Sequence, residues 1–143
     1  MNKLEHVVRN RSMPRSTVIP VLAYRDVAAA VEWLCRVFGF RERVRIANHR
    51  AQLTFGDGDL IVTDAWKVDA QASVLDAVML RVADVDSHHA AACAHGATIV
   101  NAPADQLFGE RQYSALDLAG RRWTFSQSIA DSDPASWGGE LLE

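Results

Sequence analysis

The sequence predicts an α+β fold: two βαβββ modules in tandem, forming a curved sheet that encloses a cleft. Three observations carry this expectation. Residues 18–40 (VIPVLAYRDVAAAVEWLCRVFGF) and 77–97 (AVMLRVADVDSHHAAACAHGA) run in the same order: an extended stretch, an Asp (Asp26, Asp84), a Val, an alanine-rich helical stretch and a Gly (Gly39, Gly96). Cys35 and Cys93 stand at the same offset from those aspartates. Short β-rich runs separated by turn residues follow each copy. A repeat of this length marks one supersecondary unit used twice.

The elements follow in order. Residues 17–24 (TVIPVLAY) are β-branched and apolar, and Pro20 restricts this strand to a place where one missing N–H is tolerated. Asp26 offers a side-chain oxygen to the first turn of a helix whose Val27, Val31, Leu34 and Phe38 share one face, and Gly39 ends it. Residues 40–46, 51–55 and 60–64 read as three short strands, parted by a polar loop at Asn48 and by the Gly56-Asp57-Gly58 turn. In the second module a strand over 74–82 leads to a helix capped by Asp84 or Asp86, running to His95 and closed by Gly96. A short strand over 98–101, a loop over 102–109 containing Pro103, and a hairpin of 112–116 and 121–127 around Asp117-Leu118-Ala119-Gly120 complete the unit.

Module 1 is thus expected over about residues 16–66 and module 2 over about 73–128, a single domain over 16–128 joined by a short polar link. Residues 1–15 form a basic N-terminal tail with Lys3, Arg9, Arg11 and Arg15 against Glu5. Residues 129–143 form an acidic one with Asp131, Asp133, Glu140 and Glu143. Each sheet has a helix for one face and nothing for the other. Two such units can turn their open faces toward each other and enclose a cleft, within one chain or across swapped subunits. Trp33 and Trp123 are expected between sheet and helix.

At 143 residues, 49% of them apolar, the chain has the size of one ordinary domain and can bury a core without staples. A net charge of -3 gives no sign of a nucleic-acid surface. No apolar run approaches the roughly 20 residues needed to span a bilayer. Two cysteines and no secretory h-region point to a reducing compartment, the cytoplasm.

The phrases YRDVAAAVEWLCRVFGF, FGDGDLIV, LRVADVDSHHAAACAHGA and FGERQYSALDLAGRRWTF resemble the glyoxalase/bleomycin resistance group of the vicinal oxygen chelate superfamily, over roughly residues 17–128. The resemblance implies a paired βαβββ fold, usually dimeric. That fold hosts metal-dependent isomerases, lyases, thiol transferases and dioxygenases, and also metal-free drug-binding proteins. The metal ligands implied for the enzymes fall at Ile19, at a residue among 60–63, at Ala77 and at Thr124, and none of these is a strong donor. A divalent ion needs converging imidazoles or carboxylates. Asp64 is the one carboxylate nearby, so no metal and no cofactor is expected.

Other constellations carry less. His88 and His89 are neighbours on a helix and point about 100° apart, which prevents joint chelation. His89 and Cys93 have the i,i+4 spacing for it but lie on a helix expected outside the sheet. Cys35 and Cys93 sit mid-helix with nothing to lower a thiol pKa, which favours packing. Gly56-Asp57-Gly58 lacks the third glycine of a dinucleotide loop, and no nucleophile elbow, P-loop or zinc-protease pattern occurs.

The expected cleft has Ile19, Val21, Ala77, Met79 and Thr124 as its floor and Phe55, Trp66, Phe108, Arg111 and Tyr113 as its walls. Flat rings with polar tips suit planar organic molecules, and the acidic balance favours a cationic or neutral one. Thr124 and Ser126 share a side, whereas the facing of residues 112–116 depends on the hairpin register. Trp137 is expected to pack on the body of this or a partner subunit. The sequence therefore favours metal-independent binding of a small aromatic or amphipathic molecule by a homodimer, with drug or toxic-metabolite sequestration as its use. The alternative is an enzyme of the same superfamily, a glyoxalase-like lyase or isomerase or a dioxygenase, with divergent or missing metal ligands.

Overall fold

The computed structural model describes residues 9–64 and 77–142. Module 1 comprises β1 (Val21–Tyr24), α1 (Val27–Trp33) continued by a π-helical turn (Leu34–Phe38), β2 (Arg41–Ile46), β3 (Arg50–Phe55) and β4 (Gly58–Asp64). Module 2 comprises β5 (Ala77–Arg81), α2 (Val85–Ala94), β6 (Thr98–Asp105), β7 (Glu110–Leu116) and β8 (Arg122–Ser128), and a 3₁₀ turn (Pro134–Trp137) lies beyond it. The two aspartates that mark the repeat do the same work. Asp26 accepts from the Ala29 amide and Asp84 from the Ser87 amide, both at 3.1 Å, so each satisfies an orphan donor at a helix start.

The modules share one topology, β1-β4-β3-β2 and β5-β8-β7-β6. The first strand of each pairs parallel with the last, and the remaining pairs are antiparallel. β1 begins at Val21, later than the sequence suggests, because Pro20 has no amide to give; its carbonyl still accepts from Ile61 N at 2.9 Å. β6 extends to Asp105 through the stretch expected as a loop. It is an edge strand with irregularities at Ile99/Asn101 and Asn101/Ala104, and such an edge tolerates Pro103. The expected first residues of β5, the link between modules and Trp66 lie outside the described residues.

Alternation along the strands separates a helix-covered face from an open one. On the covered side Leu22, Tyr24, Leu53, Leu60 and Val62 of module 1 join Tyr113, Ala115, Trp123 and Phe125 of module 2 in one buried cluster. Phe38, delivered by the π turn, is the hub. Its ring lies 4.9 Å from those of Trp33 and Phe125 and 5.6 Å from that of Trp123. Trp123 is fully buried and Trp33 packs against the cluster, as expected.

A buried polar knot ties the junction. Asp117, in the β7–β8 turn, accepts from Tyr24 Oη at 2.6 Å, from Trp123 Nε1 at 2.9 Å, and from the Ala119 and Arg121 amides at 2.9 Å. The Arg121 guanidinium lies 4.7 Å from the centre of the Tyr24 ring. Within one chain, then, the modules join through their covered faces, and the open faces lie on the outer sides.

Candidate functional site

The open face of module 2 is polar and ordered by its own side chains. Gln112 Nε2 donates to Ser126 Oγ at 3.0 Å, and Ser126 Oγ donates to Glu110 Oε1 at 2.7 Å. Ser114 and Thr124 hydroxyls bond at 2.8 Å. With its amide oxygen turned toward β8, Asn101 accepts from Arg122 Nη2 at 2.6 Å. Met79, 61% exposed, lies beside Thr124 in register and supplies the apolar element. A cavity of about 620 Å³ lies over Met79, Val100, Asn101, Gln112, Ser114 and Thr124. Hydrogen bonds from Ser128 and Ser126 hold the Glu110 carboxyl below the usual carboxylate range, so it is an acceptor here and not a proton donor.

Module 1 presents a different open face. Residues 10–16 cross it as a strap: Gln52 Nε2 donates to the Ser12 carbonyl and Arg43 Nη2 to the Arg11 carbonyl, each at 2.7 Å, and Ser16 Oγ donates to Asp59 at 2.7 Å. The irregularity between Glu42 and Val44 in β2 brings Arg43 to this side, where its guanidinium also donates to Gln52 Oε1. Gln52 and Ile61 are consequently 6% and 2% exposed, whereas Val21 on the same face is 52% exposed.

These placements sort the residues expected from the sequence. Val21, Ala77, Met79 and Thr124 lie on open faces, and Ile19 is half-buried just ahead of β1. Three of the expected walls need correction. Tyr113 borders the module 2 cavity by position, but its ring is buried on the covered side, where its hydroxyl bonds His88 Nδ1 and its face stacks 5.1 Å from Phe125. Arg111 is turned to α2 and held between Asp86 and Asp105. Phe55 packs against Phe40 at 5.1 Å, toward His88 and Phe125. For Tyr113 and Arg111 the cause is register: Gln112 pairs with Ser126, which puts even-numbered residues of β7 on the open face and odd-numbered ones against the helix. Phe108 is 38% exposed, and its ring lies 5.5 Å from Trp137, so the tail packs on the body as expected.

Sequence reasoning missed Glu110, Gln112 and Ser114, which follow from Thr124 and Ser126 once the pairing is known. It also missed the strap and Arg43. Pro14 and Ser16 ahead of the first strand gave no local signal of where that segment runs.

Ile19, residues 60–63, Ala77 and Thr124, where the resemblance implies metal ligands, carry aliphatic and hydroxyl side chains. Among the described residues no three His, Cys, Asp or Glu side chains converge. Asp64 is engaged by His49 Nδ1 at 2.6 Å, and Glu110 is the one carboxylate of the hydroxyl ladder. This donor set does not fit a divalent ion.

The family model described as Glyoxalase/Bleomycin resistance protein/Dioxygenase superfamily matches residues 3–125. The chain belongs to that superfamily. TioX from Micromonospora sp. ML1 is 35% identical, over 82% of this chain and 100% of TioX, with a TM-score of 0.68. The bleomycin resistance determinant encoded on transposon Tn5 shares the superfamily fold at 22% identity, covering 80% of this chain and 99% of its own, with a TM-score of 0.67. The bleomycin-binding protein of Streptomyces verticillus, solved with copper(II)-bleomycin, does so at 20% identity, 76% and 92% coverage and a TM-score of 0.63. No curated protein matches the sequence. Like other superfamily members the chain pairs two four-stranded mixed sheets with two helices, and among the described residues no helix is long and apolar enough to cross a membrane.

Proposed function

We propose that this protein binds a small aromatic or amphipathic molecule on its open sheet faces without a metal ion, and sequesters it as a drug or toxic metabolite. The observation that carries this reading is the open face of module 2: hydrogen-bonding hydroxyl and amide groups around Met79, among them Thr124, one of the positions at which the resemblance implies a metal ligand. Sequestration needs no catalytic group. A concave surface with a few placed polar atoms suffices, and a 1 μM complex requires about -8 kcal/mol. Two fold neighbours support the reading: one is described as a bleomycin-binding protein and the other as a bleomycin resistance determinant.

The working unit in this reading is a homodimer. One chain turns its open faces outward, so a closed cleft forms when module 1 of one copy faces module 2 of another. The exposed Val21, Ile46 and Met79 on those faces favour such burial. Cys35 and Cys93 are free thiols, which suits a cytoplasmic setting.

Tryptophan fluorescence titrated with aromatic antibiotics, dyes and metabolites tests the binding; saturable quenching by at least one class is expected, and a flat response across the panel sinks the reading. Elemental analysis of protein purified without chelators is expected to show no stoichiometric metal, and one bound Ni, Zn, Fe or Mn would point to an enzyme instead. Sedimentation at micromolar concentration is expected to give the mass of two chains; a monomer removes the dimer.

A further inference from the structure

We infer that the ligand of this cleft is an organic anion, recognised by arginines of the strap and of β2. The inference rests on the reading that the open faces bind a small molecule, and it adds the charge of that molecule.

Two adjoining cavities lie over the open face of module 1. One, of about 800 Å³, is lined by Arg9, Arg11, Arg15 and Arg43 with Met13 and Pro14. The other, of about 510 Å³, is lined by Arg15, Arg41 and Arg43 with Thr54 and the edge of the Gly56 turn. Arg15 and Arg43 belong to both. Among the described residues five guanidinium groups therefore line these cavities against two carboxylates, Asp57 and Asp59, and Asp59 is already occupied by Ser16. Ion pairs among the described residues engage Arg36, Arg45 and Arg111, and none of these five.

A concentration of positive charge in a chain of net charge -3 runs against the average, and it lies where the ligand would lie. It also reverses the expectation of a cationic or neutral ligand drawn from overall composition. Arg43 is not a loose surface charge. Its guanidinium is fixed by the Gln52 side chain and the Arg11 carbonyl, both uncharged acceptors that steady it without neutralising it. A planar fork held in place with its charge unspent is suited to a carboxylate, sulfonate or phosphate group. The neighbouring Arg41 and Arg15 widen the field, and the apolar Met13 and Pro14 accept the body of the molecule.

The test uses a matched pair of fluorescent probes on the full chain: 8-anilinonaphthalene-1-sulfonate and its uncharged counterpart N-phenyl-1-naphthylamine. The sulfonate is expected to bind about tenfold or more tighter, with an affinity that falls as salt rises. The double variant R41Q/R43Q is expected to erase that preference while leaving the neutral probe within about twofold. R36Q, on the outer helix surface, serves as the control and should change neither. Equal affinity for both probes, or a preference untouched by R41Q/R43Q, overturns the inference and leaves small-molecule binding standing. Failure of both probes removes the binding reading together with the inference. If duplex DNA displaces the sulfonate at matched phosphate concentration, the arginines serve a polyanion and the inference also falls. Circular dichroism of each variant confirms that a lost signal is not lost folding.

Discussion

His88 Nε2 donates to the Phe38 carbonyl at 2.8 Å, joining α2 of one module to the π turn of the other. A carbonyl only accepts, so the ring proton sits on Nε2 and Nδ1 accepts from the Tyr113 hydroxyl. The ring is neutral and saturated with partners. Burial pushes its pKa below the usual histidine value, and the Phe38 bond offsets this only in part.

Acid should therefore loosen the junction. The unfolded chain takes up a proton on this histidine near pH 6.5 while the folded chain resists it, so stability is complete above that pH and is lost as pH falls toward the folded value. The slope for one proton is at most about 1.4 kcal/mol per pH unit. Urea unfolding at several pH values checks this, and His88→Gln should flatten the curve between about pH 7 and pH 5. An unchanged slope in that variant would place the effect elsewhere.

Asp117→Ala should be among the most damaging single changes. It strips the acceptor from Tyr24, Trp123 and two amides in a buried junction, at a cost of about 3–5 kcal/mol. Asp117→Asn keeps part of the acceptor set and should lose less. Chemical denaturation of both variants gives the comparison.

Gly109→Ala tests how the tail is held. Gly109 has φ +81°, and an added Cβ would stand 2.5 Å from the Ala130 carbonyl oxygen. The other near atoms are the Ala130 carbonyl carbon and the Ser132 Cβ, and no rotamer change moves any of the three aside. We expect a loss of about 1–3 kcal/mol, together with faster proteolysis after residue 128 as Trp137 leaves Phe108. Wild-type cleavage kinetics would contradict this account.

Thr124→Trp should fill the module 2 cavity. The ring enters open space over Met79 and Ser114, so melting should shift little while affinity for the sulfonate probe drops by about tenfold or more. Retained affinity would move the ligand off this face.

Much of the fold was legible because its signals are local. Asp26 and Asp84 announce helix starts, Gly39 and Gly96 helix ends, and the spacing between them exposes the repeat. The Asp117–Gly120 turn was also readable, though not the knot that Asp117 ties across the junction. The site was less legible. Tyr113 and Gln112 are adjacent in sequence, and only the pairing with β8 decides which of them lies on the open face and which meets a helix. The strap escaped for a similar reason: Arg11 and Ser12 are fixed by Arg43 and Gln52, partners more than thirty residues away.

Those two attachments have an evolutionary consequence. To Arg43 and Gln52, residues 11 and 12 present only main-chain oxygens, and peptide oxygens are common to every amino acid. Positions 11 and 12 can thus change side chain and keep these two bonds, whereas Asn10 and Ser16 hold the strap through their side chains. The charge that the strap carries can therefore vary at position 11 while the scaffold beneath stays as it is.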